Sequence, residues 1–366
     1  MLNEKIEPIL KVGLIGCGRI SGHHCQAISR TPGAELVAVC DIDSTKAALY
    51  QKEYSVKAYE NYHLMLIENP EINVVAINTP SGMHYEHALD IIDRYKKNII
   101  VEKPTFMRPS QVEDAYRHAD EAGVKIFPVF QNRHNLAVKR VIQGIRDGEL
   151  GELRSLAVRV RWCRPQRYYD LSPWRGTYSM DGGCLTNQGI HHIDLLRVIG
   201  GEVSRVTCVQ KTFGANIEVE DTAVGVVEFK SGMIGSIEIT TAARPIDYEA
   251  SISLVCESGL VQIGGIAVNE LQVYTPDPSA CIPNTEDFSG NVYGNGHLKI
   301  YEEIVGVLKN QQLFSVSFVD ALSSIQLLNG FYISSEKGGW VDVLSAGDST
   351  RLGREDSKLS SLYRVQ

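Results

Sequence analysis

The sequence predicts an α/β protein with a parallel, doubly wound sheet in its first third, followed by an α+β domain built on a large, mostly antiparallel open sheet. Three observations predict it. Short apolar runs alternate with helix-like stretches up to Phe130, the rhythm of strands joined by crossover helices. Beyond Gln131 several strand-like runs follow one another with tight turns between them, the pattern of antiparallel neighbours. The length, 366 residues, exceeds what one ordinary core organises. Domains are therefore expected over residues 1–130 and 131–344, with a polar, loosely held tail over 345–366.

In chain order, the first strands are read at 11–18, 35–43, 74–80, 98–104 and 125–130, with a helix-like segment between each pair. An amphipathic helix carrying Val138, Val141 and Ile145 opens the second domain, and the alternating run Leu153 to Trp162 is its first strand. Further strands are expected at 202–211, 221–230, 233–242, 248–257 and 260–265, with Lys230-Ser231-Gly232 as a hairpin turn between two of them. Two late helices, over 297–310 and 319–336, either cover one face of that sheet or return to the first domain.

Composition narrows the function classes. No apolar run reaches the roughly 18 residues of a membrane span, and the start MLNEKIEPILK lacks the features of a signal peptide, so a cytoplasmic protein is expected. The eight cysteines form no C-x-x-C pair, and several sit in strand patterns as small hydrophobes, so they are read as reduced and structural. A net charge of -8 argues against nucleic acid as a partner. No metal site is expected.

Gly16-Cys17-Gly18-Arg19-Ile20-Ser21 follows the first strand and opens a helix, the context in which backbone N–H groups approach a pyrophosphate. The third small position is Ser21 instead of glycine, which still permits close packing of helix on strand. Asp41 ends the second strand, where a carboxylate would accept hydrogen bonds from ribose hydroxyls and repel a 2′-phosphate, favouring NAD over NADP. Its structural alternative is a helix N-cap, a task for which Ser44 competes. Asn78-Thr79-Pro80 ends the next strand on the same edge, where cofactor contacts would be mostly backbone.

Downstream, Val101-Glu102-Lys103-Pro104 places one lysine at a strand's carboxyl end. A lysine whose charge a cofactor or a drier cleft can tune suits proton transfer between alcohol and ketone; position alone favours a solvated lysine. In the second domain Asn187-Gln188-Gly189-Ile190-His191-His192-Ile193-Asp194 reads as the start of a helix. On it Asn187 and His191 share a face and Asp194 can orient the imidazole, unless His191 merely packs.

The Gly-rich turn, the Glu102-Lys103-Pro104 segment, the Gly189 to Asp194 segment and a Rossmann domain followed by an antiparallel sheet together resemble the Gfo/Idh/MocA family of oxidoreductases over nearly the whole chain. The resemblance implies that Lys103 and His191 meet beside the nicotinamide as the catalytic pair, and that the Lys103-Pro104 bond is cis. Alongside Gly16, Gly18, Arg19, Ile20, Asp41 and the Asn78-Thr79-Pro80 strand end, His84, Glu102, Lys103 and Gln131 are expected to contact NAD. Many sugar and inositol dehydrogenases of the family carry aspartate four residues before the histidine, where this chain has Asn187. Asparagine cannot take a proton at neutral pH, so Asn187 is expected to orient a substrate hydroxyl while Lys103 and His191 share acid–base work.

That asparagine resembles the branch acting on UDP-N-acetylglucosaminuronic acid, the WlbA-type 3-dehydrogenases of surface-polysaccharide pathways. The loop from Arg159 to Tyr169 adds a basic, aromatic surface. Arg164, Arg167 and Tyr168 lie beyond the strand and are expected to receive a UDP-sugar, since arginine forks bind diphosphate or carboxylate oxygens in pairs. Arg159 and Arg161 fit a structural role as readily, and Trp174-Arg175 forms a similar pair near the cleft. The expected protein is an NAD-dependent dehydrogenase of a UDP-linked hexuronic acid, with free-sugar or inositol oxidation and NAD sensing as rivals. An exposed sheet face would make it a homo-oligomer, a dimer or a tetramer.

Overall fold

The computed structural model describes residues 9–289 and 292–365. The leader-free start inferred from the first residues lies, for 1–8, outside the described residues. The first sheet contains β1 (Leu10–Ile15), β2 (Ala34–Cys40), β3 (Lys57–Tyr59), β4 (Val74–Ile77), β5 (Asn98–Val101) and β6 (Ile126–Pro128), interleaved with α1 (Ser21–Arg30), α2 (Ser44–Tyr54), α3 (Tyr62–Glu68), α4 (His84–Tyr95) and α5 (Pro109–Ala122). Its order is β3-β2-β1-β4-β5-β6 and every pair is parallel. β4 is buried at all four positions because helices cover both faces, which is why such strands read as unbroken apolar runs. β3 is missing from the sequence reading: three residues with Lys57 exposed carry no periodic signal. Strand order reverses between β1 and β4, and the crevice there is where such sheets collect ligands.

The second part contains α6 (Leu136–Arg146), β7 (Leu153–Arg161), α7 (Gln166–Tyr169), α8 (Cys184–Asn187), α9 (Ile190–Gly200), β8 (Val203–Lys211), β9 (Thr222–Phe229), β10 (Ile234–Thr240), β11 (Glu249–Cys256), β12 (Leu260–Gly264), β13 (Glu270–Tyr274), α10 (Gly296–Leu308), α11 (Phe318–Lys337), β14 (Val341–Asp342) and α12 (Ser357–Ser361). The eight strands run β13-β12-β11-β7-β10-β9-β8-β14, antiparallel except where β7 pairs with β10. The β9–β10 turn contains Gly232 at φ +90°, a conformation glycine adopts without strain. One sheet face packs Val206, Val227 and Ile237 into the core with Leu328 and Phe331 of α11, while Val224, Val226, Ile234 and Val255 are exposed on the other.

Both fates expected of the late helices occur. α11 covers the second sheet, whereas α10 returns to the first domain, where Ile300, Tyr301 and Ile304 join Leu10, Val12, Leu14 and Ile28 in one core. The tail is tied down instead of loose. Arg108 Nε donates to Leu352 O at 3.0 Å, Gly353 N donates to Tyr178 O at 2.8 Å, and Arg364 Nε donates to a Glu86 carboxylate oxygen at 2.8 Å. All eight cysteines are free. Among the described residues, no helix is long and apolar enough to cross a membrane.

Candidate active site

A cleft of about 600 Å³ opens at the switch point, lined by the Gly-rich turn, the ends of β4 and β5, α9, and loops of the second domain. Gly16 sits at φ +90°, and a Cβ there would lie 2.7 Å from Asn78 O, so only glycine lets the ends of β1 and β4 approach. A Cβ at Gly18 would meet nothing within 4 Å, which leaves ground for a pyrophosphate at the start of α1. Ser21 explains its place in the motif: its hydroxyl donates to Gly16 O and accepts from Asn78 Nδ2 at 3.2 Å, locking turn to strand.

Asp41 accepts from Cys17 N at 2.7 Å and from Asp43 N at 2.9 Å, so each oxygen keeps a lone pair for ribose hydroxyls. It is not the N-cap of α2, and neither is Ser44; Asp43 is, accepting from Thr45 N at 3.1 Å. Arg19, Ile20, Thr79, Pro80 and Gln131 also line the cleft. Asn78 Oδ1, Gln131 Oε1, His191 Nδ1 and Arg175 Nε are buried there without a protein partner among the described residues. Polar atoms are rarely left so, and their convergence on one cleft suits a polar ligand.

Two expected cofactor residues, His84 and Glu102, line the cleft and are also bonded within the protein. The ring nitrogens of His84 face Pro104 O at 2.9 Å and Thr79 O at 3.0 Å, so the imidazole ties the ends of β4 and β5 together. Glu102 Oε1 lies 3.0 Å from His24 Nε2 and 3.2 Å from His297 Nε2, while Oε2 accepts from Lys103 N at 3.0 Å. Burial alone would raise this carboxyl's pKa, but the two imidazoles hold it well below the usual range. Glu102 therefore anchors α1 and α10 to the lysine's backbone.

Lys103 Nζ donates to Asn187 O at 2.8 Å and to Asn187 Oδ1 at 3.0 Å, which joins the two segments singled out in the sequence. The Lys103-Pro104 bond is cis. Desolvation in the cleft lowers the lysine's pKa, with Arg175 and Arg164 acting in the same direction and Glu102 and Asp181 opposing it. His191 lines the same cleft at 6 % exposure, and burial and the nearby Lys103 hold its pKa well below the ordinary histidine range. It is neutral at physiological pH.

Two expectations about the second segment are corrected. Asn187 and His191 do not share one helix, because α8 ends at Asn187 and the chain turns through Gln188-Gly189 before α9. Asp194 does not orient His191: it accepts from Arg133 Nε at 2.7 Å and Nη2 at 2.6 Å, and from Ser324 Oγ at 2.7 Å. Three residues along a helix set a shared face, but a buried arginine outcompetes a neutral imidazole for the carboxylate.

In the basic loop, Arg159 and Arg161 stay on the sheet, paired with Glu238 at 3.2 and 2.7 Å and with Glu249 at 3.5 and 3.6 Å. Arg164 enters the cleft, bonded to Asp247 Oδ1 at 2.7 Å with its guanidinium over Trp162 and Tyr168. Tyr168 lines the cleft too, whereas Arg167 is exposed in an adjoining depression that shares Arg19, Arg164 and Tyr168. The sequence reading underrated Arg175, whose guanidinium lies 4.4 Å from the Tyr168 ring centre and 4.5 Å from that of Trp174. It missed Tyr293 and Tyr363 on the cleft wall, to which no motif points.

Comparison with known proteins agrees with this geometry. Residues 10–130 match the Gfo/Idh/MocA model described as an oxidoreductase family with an NAD-binding Rossmann fold, and residues 138–262 match a Gfo/Idh/MocA C-terminal domain. The structure is similar to the WlbA dehydrogenase of Bordetella pertussis, solved with NADH and UDP-GlcNAcA, at 32% identity and a TM-score of 0.86, covering 91% of this chain and 97% of that one. Among sequences it is similar to an inositol 2-dehydrogenase of Arthrobacter (30% identity; 70% of this chain, 74% of that protein). A myo-inositol 2-dehydrogenase of Thermotoga maritima is 28% identical over 63% of this chain and 68% of that protein. The chain belongs to the Gfo/Idh/MocA family and is an NAD-dependent dehydrogenase acting on sugar or polyol hydroxyls.

Proposed function

We propose that the chain oxidises the C3 hydroxyl of a UDP-linked N-acetylhexosaminuronic acid to the 3-keto sugar in surface-polysaccharide biosynthesis. The observation that carries this reading is the cationic, aromatic wall of the cleft. Arg164 and Arg175, stacked on Trp162, Tyr168 and Trp174, face the same space as Lys103 and His191. Stacked guanidiniums suit diphosphate and carboxylate oxygens, and the rings suit a base or an apolar sugar face. A free polyol has no use for two buried-edge cations. The likeness to a WlbA dehydrogenase solved with UDP-GlcNAcA supports the same choice.

Bound NAD supplies a hydride acceptor at the carbinol carbon. The protein prepares the proton's path. A neutral lysine amine has two N–H donors and one lone pair; both donors are directed at Asn187 O and Oδ1, so the lone pair remains for the substrate hydroxyl. Lowering the lysine's pKa favours that neutral form. His191, neutral and on the cleft wall, can hold the same hydroxyl in line. The exposed Val224, Val226, Ile234 and Val255 on the outer sheet face fit a homo-oligomeric contact.

The inositol dehydrogenases among its relatives favour one rival, oxidation of a free polyol. Following nicotinamide absorbance with UDP-hexuronic acids, neutral UDP-sugars, inositols and free sugars separates the two. Reduction confined to the UDP-uronic acids is expected; turnover of inositol alone, or of none of these compounds, would overturn the reading.

A further inference from the structure

Asp181 carries no role in the reaction so far, yet it is 1% exposed and within one hydrogen bond of both sides of the cleft. It lies in the turn before α8, whose approach to the first domain is fixed by Gly82 N donating to Met180 O at 3.0 Å. One carboxylate oxygen accepts from Asn187 Nδ2, and the other accepts from Gly176 N at 2.7 Å. The first contact leads to Lys103 through Asn187 Oδ1. The second holds the loop that presents Trp174 and Arg175.

An asparagine amide can be turned end for end at little intrinsic cost, so its direction must come from its neighbours. Turned over, Asn187 would place its oxygen against the Asp181 carboxylate, which is unfavourable, and would take from the Lys103 amine one of the two acceptors that direct its donors. We infer that Asp181 is a positioning residue: its carboxylate fixes Asn187 with the oxygen toward Lys103 and ties that lysine to the Arg175 loop. A neutral Asn187 can then do the orienting that the site requires while the Asp181 carboxylate behind it stays out of reach of substrate. This inference rests on the reading of Lys103 as the proton acceptor.

The charges facing Lys103 are Glu102 at the end of β5, Asp181, Arg175 and Arg164, and the imidazoles of His84, His191 and His297 approach it from α4, α9 and α10. Asp181 itself faces Arg175, Lys103 and Glu220. Removing the Asp181 charge subtracts an interaction that favours the lysine's protonated form, so the lysine's pKa should fall further. The acidic limb of kcat/KM for oxidation should move to lower pH.

The test is a double-mutant cycle of Asp181→Asn and Asn187→Ala, run beside the native enzyme with its sugar substrate, together with NADH binding by fluorescence. Asp181→Asn keeps the shape but can satisfy only one of its two donors. It is expected to lower kcat roughly 10-fold, the kinetic equivalent of one buried charged hydrogen bond, to move the acidic limb to lower pH, and to leave NADH affinity within about two-fold. In the Asn187→Ala background the same change should cost less than about two-fold in kcat. Full activity of Asp181→Asn, an equal loss in both backgrounds, an unmoved pH limb, or a parallel loss of NADH binding would overturn the inference. A failure of the Lys103 reading would show separately, as Lys103→Met turning over at the native rate.

Discussion

Replacing Asp194 by alanine should cost stability and leave the chemistry of His191 alone. Asp194 is 1% exposed and holds Arg133 through two hydrogen bonds of 2.6 and 2.7 Å, with Ser324 Oγ donating a third at 2.7 Å. Removing one member of a buried pair strands the other's charge, at a cost of about 3–5 kcal/mol. Arg133 Nη2 keeps a second carboxylate, Asp320, at 3.7 Å, and that residual partner sets the expectation at the lower end, about 3 kcal/mol. Urea unfolding followed by tryptophan fluorescence, compared at equal m, measures the difference. The pH profile of turnover should keep its shape, because Asp194 is committed to Arg133 and Ser324. A loss below about 1 kcal/mol, or a displaced pH profile in a fully stable variant, would refute the reasoning and return Asp194 to the imidazole.

Two more outcomes follow from buried ionisable groups. Lys103→Met should lower kcat by about 10²–10⁴ with NADH binding retained, and native kcat/KM for oxidation should be lost as pH falls through a lysine pKa below the ordinary 10.5, which steady-state kinetics across pH would read. Glu220 is 2% exposed, and burial pushes its carboxyl up to about 7 from 4.5. The folded state therefore holds its proton more tightly than the unfolded state. Glu220's contribution to stability is fully present below the ordinary value and declines by about 3 kcal/mol as pH rises from 4.5 to about 7; Glu220→Gln should remove that component in urea titrations at successive pH values.

The parts of the molecule that were legible are those written in short-range patterns. Continuous apolar runs marked β1, β4 and β5, alternation marked β7 to β12, and glycine at a position needing φ +90° marked the turn at Gly16. Lys103 was visible through the segment around it, and its contact with Asn187 spans 84 residues of sequence, which only the family resemblance bridged. What stayed hidden was decided by competition between partners. Glu102 went to two histidines, one of them on α10, and Asp194 went to an arginine 61 residues away. Asp181, Tyr293 and Tyr363 reach the cleft through loops whose paths no periodicity encodes. β3, β13 and β14 were too short or too irregular to register, and the polar tail concealed specific docking through Arg364 and Glu86.

The central claim is that this cleft oxidises an anionic nucleotide sugar with Lys103 as the proton acceptor. The most direct measurement is the initial rate of NADH formation with UDP-N-acetylglucosaminuronic acid and with free inositol, for the native chain and for Arg175→Ala. Turnover of the nucleotide sugar alone is expected, with at least a 10-fold rise in its KM in the variant, the equivalent of one lost charge-assisted contact. Equal turnover of inositol, or an Arg175→Ala enzyme with unchanged KM for the UDP-sugar, would contradict it.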